Sequence, residues 1–306
     1  MILLASPGQG AQTPGFLQPW LEVPGVADRL AWWSAVTGLD LVRYGTTADA
    51  EEIRDTAVAQ PLLVAAALAA YEALYGDGTG AAPGAVAGHS VGELAAAAIA
   101  GVLSPEAALV LVRERGRAMA EAAAAAETGM TAVLGGDADE VLAAIDKHGL
   151  TPANVNGAGQ VVAAGTMDGL AAFADEPPAK ARLRPLSVAG AFHTEHMAPA
   201  VDTLRRLAPG APVADPRVTL LQNRDGAAVA SGREFVSRLV DQVSAPVRWD
   251  ACMATMREIG VTAIIELPPA GTLVGLARRE LKGLPPLALK TPDDLAKARE
   301  LIEEHS

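Results

Sequence analysis

The chain has one cysteine, Cys252, so it can form no internal disulfide, and this suits a reducing compartment. One thiol and five scattered histidines give no recognisable zinc pattern. Aromatic residues make up only 4% of the chain, which argues against a platform for stacking bases. Basic residues are outnumbered, 24 to 36, and the net charge is -12. Nucleic-acid binding needs a basic surface to displace counterions, so that class is excluded. Long apolar runs are also missing. Pro61 to Ala70 and Leu94 to Leu103 fall short of the roughly 20 residues of a spanning helix and read as buried helices. The first residues, Met1 to Ser6, lack the basic flank and the length of a signal peptide. A cytoplasmic protein with no membrane association is expected.

What is present is ample core: half of the 306 residues are hydrophobic. Residues 2 to 5 read as a buried strand stopped by Pro7-Gly8-Gln9-Gly10. Helical patterns cover Ala27 to Thr37 and Ala50 to Tyr75, the second expected to break near Gln60-Pro61 because proline disfavours helix before it. A glycine-rich loop, Gly76 to Gly84, leads to a short strand at Ala85-Val86-Ala87. A helix from Glu93 to Ala100 follows, then one from Ser104, with Ser as N-cap and Pro in the first turn, to about Ala126.

The next stretch alternates differently. Met130 to Leu134, Ala153 to Val155, Gln160 to Ala164 and Leu183 to Val188 read as strands. Ala138 to His148 and Met167 to Ala174 read as helices, and Asn156-Gly157 as a hairpin turn. The order β-α-β-β-α-β is that of a ferredoxin-like unit. Strands near Val218 to Gln222 and Ala263 to Leu267 then resume an open α/β pattern. The expected fold class is α/β, with a large subdomain of residues 1–126 and 191–306 and an inserted ferredoxin-like subdomain of residues 127–190.

The chemistry centres on Gly88-His89-Ser90-Val91-Gly92, a G-x-S-x-G pattern. In that pattern a serine sits on a sharp strand-to-helix turn, its hydroxyl clear of the sheet, while the helix N-terminus offers N–H groups to an oxyanion. A strand before it and an alanine-rich helix after it supply the context the turn requires. A nucleophilic serine needs a base. His89 adjoins Ser90, His148 falls in the small subdomain and His305 near the C-terminus, which leaves His193 and His196 with a lean to His193. The order is informative, since α/β-hydrolases place their histidine near the C-terminus and here a long stretch follows His193. An ordinary esterase is disfavoured.

On its helix, Arg115 has Leu111, Val112, Ala118 and Met119 as neighbours at i±3 and i±4, so it points from the buried stripe. Arg113 and Arg117 share the other face, where Glu121 can pair with Arg117. A buried guanidinium needs an anion. Two readings stay open for Arg115: an internal salt bridge, or a grip on a substrate carboxylate. The loop Pro7 to Gly10 is either a simple turn or an oxyanion donor. Lys180, Arg182 and Arg184 are either a solvated strand edge or a contact for phosphates or an acidic partner.

Taken together, Pro7-Gly8-Gln9-Gly10, Gln60-Pro61, Gly88-His89-Ser90-Val91-Gly92-Glu93, Arg115-Gly116 and Phe192-His193 occur in the order and spacing of malonyl-CoA:acyl carrier protein transacylases. The resemblance extends through Asn156, Gln160-Val161-Val162, Asn223 and Pro246-Val247-Arg248-Trp249 and covers nearly the whole chain. The chain also resembles the acyltransferase domains of modular polyketide synthases. The resemblance implies Ser90 as acyl-carrying nucleophile, His193 as its base and Arg115 as receptor of the malonyl carboxylate. It implies an oxyanion hole from the N–H groups of Gln9 and Val91, with Gln60 and Asn156 lining the site. The family orients its histidine partly through a backbone carbonyl, expected here at Arg248, where relatives often carry Gln. Phe192 beside the base would crowd an α-methyl group, an effect worth roughly 1–3 kcal/mol per methyl. The implied substrates are a coenzyme A thioester and acyl carrier protein, with no tightly bound cofactor or metal, in fatty-acid or polyketide synthesis.

Overall fold

A computed structural model describes residues 1–76 and 82–305. Part of the glycine-rich loop Gly76 to Gly84 therefore lies outside the described residues. In chain order the strands are β1 (Ile2–Ser6), β2 (Ala85–Gly88), β3 (Thr128–Gly135), β4 (Thr151–Gly157), β5 (Gln160–Thr166), β6 (Ala181–Pro185), β7 (Thr219–Leu220), β8 (Val247–Arg248), β9 (Ala263–Glu266) and β10 (Pro286–Ala288). The helices begin with α1 (Val26–Thr37), α2 (Leu41–Thr46), α3 (Thr56–Tyr75), α4 (Gly92–Ile99), α5 (Pro105–Ala124), α6 (Ala138–Lys147) and α7 (Met167–Asp175). They end with α8 (Ala198–Leu207), α9 (Gly232–Asp241), α10 (Trp249–Glu258), α11 (Thr272–Glu280) and α12 (Leu295–His305).

Among the described residues the strands form two sheets. The first, β10-β9-β1-β2-β7, is parallel throughout. Every residue of β1, β2 and β9 is buried, as expected of a parallel sheet covered on both faces. The second, β6-β3-β5-β4-β8, has β3, α6, β4, β5, α7 and β6 in the ferredoxin-like arrangement with antiparallel neighbours. Its last member, β8, comes from the later part of the chain and pairs parallel to β4, tying the two layers together. The molecule is thus α/β with two subdomains, each built on its own sheet. The register Ser6↔Gly88 sets the loop after β1 beside the loop after β2, at the carboxyl ends of the strands, where open α/β sheets bind ligands.

Helix α3 corrects one expectation. It runs unbroken through Pro61. Proline removes the N–H that would bond the Ala57 carbonyl, and Arg113 Nη1 donates to that carbonyl instead, at 3.2 Å. The pattern from Ala50 resolves into a 3₁₀ turn at Glu52–Arg54 and α3, whose N-cap Asp55 accepts from Ala57 N–H at 2.8 Å. At 20 residues and a mean hydropathy of 1.6, α3 is long and apolar enough to cross a membrane, yet 78% of that window is buried inside the protein. Its main partner is α5, which starts from the Ser104 cap as expected. The two backbones meet at Gly116, where any Cβ would come within 2.9 Å of the Thr56 carbonyl.

Smaller corrections follow from local geometry. The tip of the β4–β5 hairpin is Ala158-Gly159, both with positive φ, while Gly157 sits in an irregular register and Asn156 belongs to the strand. Strand β6 ends at Pro185 and not at Val188. Arg117 pairs with Glu114, one turn back, at 3.3 Å, and not with Glu121.

Candidate active site

Ser90 stands where β2 turns into α4. Its φ of 52° is left-handed, a strained value for a residue with a side chain. Two glycines make the turn possible. A Cβ on Gly88 would strike the Gly92 carbonyl group, and one on Gly92 would strike the Ser6 carbonyl oxygen. Asn223 braces the turn: its Oδ1 accepts from Ser90 N–H at 2.8 Å and its Nδ2 donates to the Gly88 carbonyl at 2.8 Å. The first N–H groups of α4, on Gly92, Glu93 and Leu94, donate back to the carbonyls of His89, Ser90 and Val91, which tightens the turn.

His193 lies in the loop before α8, buried, also with left-handed φ, 62°. Its Nε2 is 2.7 Å from Ser90 Oγ. His196 belongs to a separate 3₁₀ turn, so geometry selects His193. The Nδ1 of His193 donates to the carbonyl of Gln242 at 2.7 Å, which fixes the tautomer with Nε2 free to accept the serine proton. This corrects the assignment to Arg248. The orienting carbonyl lies six residues earlier, on Gln242, just after α9. Arg248 faces outward: its guanidinium holds Asp250 and its N–H donates to the Asn223 carbonyl. Burial, reinforced by the Arg115 charge, pushes the His193 imidazole down to about 3, so the resting ring is neutral and ready to accept a proton.

Arg115 is buried. Its Nη1 donates to Gln60 Oε1 at 2.5 Å and its Nη2 to Gln242 Oε1 at 2.9 Å. Nη2 also lies 3.4 Å from Ser90 Oγ, and Nε has no partner. Every ion pair among the described residues belongs to other cations, so the internal salt-bridge reading falls. Burial pulls the Arg115 guanidinium down to about 10, still charged at neutral pH. The neighbouring carboxylate is Glu93, reached through Gln242, whose Nε2 donates to Glu93 Oε2 at 2.6 Å. Burial lifts Glu93 to about 8, against the opposing pull of the Asn223 N–H and the Arg115 charge.

Gln9, Gln60, Ser90, Val91, Arg115, Phe192 and His193 line one cavity of about 90 Å3. That is well below the roughly 300 Å3 at which drug-sized sites begin, and it suits an acyl group of a few atoms. Among the described residues, neither the Gln9 nor the Val91 N–H donates to a protein acceptor. The Gln9 side chain is anchored away on Thr56 Oγ1 at 3.1 Å. Asn156 stands one layer out: its Oδ1 is 2.9 Å from His89 Nε2, and it lines an adjoining cleft of about 570 Å3 that shares Gln9, His89 and Asn154 with the cavity. Lys180, Arg182 and Arg184 lie on or beside the edge strand β6 and line neither space.

Sequence reasoning missed three residues here. Glu93 and Asn223 were visible only as members of recurring motifs, and Gln242 carried no signal beyond being a glutamine at a helix end. A backbone carbonyl that orients a histidine leaves no trace in residue identity.

The acyl transferase domain family matches residues 7–293. The malonyl CoA-acyl carrier protein transacylase of Mycobacterium tuberculosis (strain ATCC 25618 / H37Rv) is 56% identical over 296 residues, which is 96% of this chain and 98% of that protein. The crystal structure of MCAT from Mycobacterium tuberculosis superposes with a TM-score of 0.94 at 56% identity, covering 97% of this chain and 99% of the other. A malonyl-transacylase, PlMCAT, solved with the type II PKS acyl-carrier protein AntF, superposes with a TM-score of 0.93 at 32% identity, covering 98% and 99%. The chain belongs to the acyl transferase family, as a malonyl CoA-acyl carrier protein transacylase.

Proposed function

We propose that this chain moves a malonyl group from malonyl-CoA to the phosphopantetheine thiol of acyl carrier protein through a malonyl-Ser90 intermediate. The observation that carries the reading is a charged, buried Arg115 with no carboxylate partner among the described residues, 3.4 Å from a serine that is itself 2.7 Å from a neutral histidine. A nucleophile, a base and a receptor for a free carboxylate share one small cavity.

His193 Nε2 takes the Ser90 proton as Oγ attacks the thioester carbonyl. The N–H groups of Gln9 and Val91 receive the oxyanion. As the C–S bond breaks, the CoA sulfur leaves with the proton held by His193. The pantetheine thiol then enters by the outer cleft, gives its proton to His193 and attacks the ester, returning Ser90. Phe192 narrows the pocket against branched acyl groups, and Asn156 holds His89 at the cleft wall.

In this reading residues 1–126 and 191–306 carry the chemistry and residues 127–190 form the inserted roof. The reaction requires no bound cofactor beyond the coenzyme A thioester consumed, and its place is the cytoplasm, in fatty-acid or polyketide synthesis. The test is the mass of holo acyl carrier protein incubated with malonyl-CoA and enzyme: a gain of one malonyl group supports the reading. Free malonate and unchanged carrier protein would instead mark a hydrolase.

A further inference from the structure

The Ser90–His193 pair rests under a positive charge that no carboxylate among the described residues pairs with at contact. Arg115 Nη2 is 3.4 Å from Ser90 Oγ, within reach of a hydroxyl lone pair. Its other donors end on the neutral amides of Gln60 and Gln242, and Nε is left over. A donor on Oγ takes up one of its two lone pairs and draws electron density from the attacking oxygen. A cation beside the imidazole opposes formation of the imidazolium that receives the serine proton. Both effects end when Arg115 is claimed by a carboxylate, whose two oxygens match its donors.

We propose that the carboxylate of the acyl group acts in the chemical step as well as in binding: by pairing with Arg115 it releases the Ser90–His193 pair that Arg115 restrains. The proposal rests on the malonyl-transfer reading above and makes Arg115 a switch that reads the carboxylate. Before pairing, the serine is held back from uncharged acyl groups and from water. After pairing, the Ser90 proton passes to His193 Nε2, the Oγ–acyl bond forms, the C–S bond breaks, and the proton leaves with the CoA sulfur.

The surrounding charges agree with this assignment. The groups facing His193 are Arg115 from α5 and His89 from the Ser90 turn, with Glu93 of α4 one amide away behind Gln242. Glu195 and His196, on its own loop, lie toward the surface, and Asp241 is drawn off by Arg205 at 3.1 Å. Burial and the Arg115 charge, in that order, do most to hold His193 down, with a smaller push from His89, so pairing Arg115 removes the second of them.

The test compares three thioesters on the wild-type enzyme by rapid-quench acylation: malonyl-CoA, acetyl-CoA, and the neutral carboxamide of malonyl-CoA, which is nearly the same size. The limiting rate constant at saturation is measured across pH. A change of about one pK unit in the base corresponds to about a tenfold change in its proton affinity. The malonyl complex is expected to acylate at least about tenfold faster at saturation than either neutral thioester, and its acid limb to lie at higher pH. In Arg115→Gln the three limiting rates converge, and the limb for acetyl-CoA moves up toward the wild-type malonyl position. Equal limiting rates and coincident limbs in the wild-type enzyme, with only the half-saturating concentrations differing, would overturn the proposal and leave Arg115 a holding residue. Absence of any acyl adduct from malonyl-CoA would overturn the malonyl-transfer reading itself.

Discussion

The Gln242 carbonyl oxygen lies 2.7 Å from His193 Nδ1, while the same residue's side-chain oxygen lies 2.9 Å from Arg115 Nη2. One residue at the end of α9 therefore aims the base with its backbone and holds the carboxylate receptor with its side chain. Its amide nitrogen then reaches Glu93 and the Ser90 carbonyl. The base and the acyl receptor are set against each other by a single short segment of chain.

The two roles separate on mutation. Gln242→Ala keeps the carbonyl and so keeps His193 aligned. It strips a partner from buried Arg115 and from buried Glu93, each a group whose loss of a hydrogen bond costs about 1–3 kcal/mol. The expected result is a lower melting temperature and a raised KM for malonyl-CoA, with acetyl transfer much less affected. Steady-state kinetics with both thioesters and a thermal melt check this. Equal loss for both substrates would place the side chain outside the carboxylate receptor.

Arg115→Ala should depress kcat/KM for malonyl-CoA by about two orders of magnitude or more, the scale of a lost charge-assisted pair. Acetyl-CoA has no carboxylate to lose, and loss of Arg115 also lifts its restraint on the Ser90–His193 pair, so acetyl transfer should hold steady or rise. Parallel kcat/KM measurements decide it, and matched losses would remove Arg115 from substrate recognition.

The pH dependence of kcat/KM reports the free enzyme. His193 is held below its ordinary value of 6.5, so the catalytically useful neutral ring persists as pH falls and is lost only through the lowered value near 3. The acid limb of kcat/KM for malonyl-CoA should therefore lie well below pH 6.5. A limb centred at the ordinary histidine value would mean that burial and Arg115 do not act on the free enzyme as the structure implies.

Gly116 lets α5 approach α3 closely enough to bury Arg115 against Gln60. In Gly116→Ala the new Cβ meets the Thr56 carbonyl at 2.9 Å, and backbone cannot yield cheaply. Overpacking of this kind costs about 1–3 kcal/mol. Because the displaced residue adjoins Arg115, malonyl KM should rise along with the loss in melting temperature. A stable variant with unchanged KM would show that the helix spacing is not needed.

Ser90 was legible because a strained strand-to-helix turn demands glycines at fixed places, and glycine is visible in sequence. Arg115 was legible because helical periodicity puts it among apolar neighbours, although only the structure removes the internal salt bridge as its partner. His193 could not be separated from His196 on residues alone, since what distinguishes them is a 2.7 Å approach between segments 103 residues apart. The orienting carbonyl, expected at Arg248, belongs to Gln242 instead, and residue identity could not place it because every residue has a carbonyl. Pro61 misled in the opposite way: the missing hydrogen bond was made good by Arg113, a tertiary contact that no local rule contains. Asn156-Gly157 carries the residues of a turn but lies in a strand with an irregular register, and Ala158-Gly159 makes the reversal instead.

The central claim is that malonyl rests covalently on Ser90 between donor and carrier. Intact-protein mass after mixing with malonyl-CoA tests it most directly, with Ser90→Ala alongside and holo acyl carrier protein added second. The account predicts one malonyl adduct on the wild-type chain, none on the variant, and prompt discharge when the carrier arrives. An adduct of equal size on Ser90→Ala, or carrier malonylation by that variant at the wild-type rate, would contradict it.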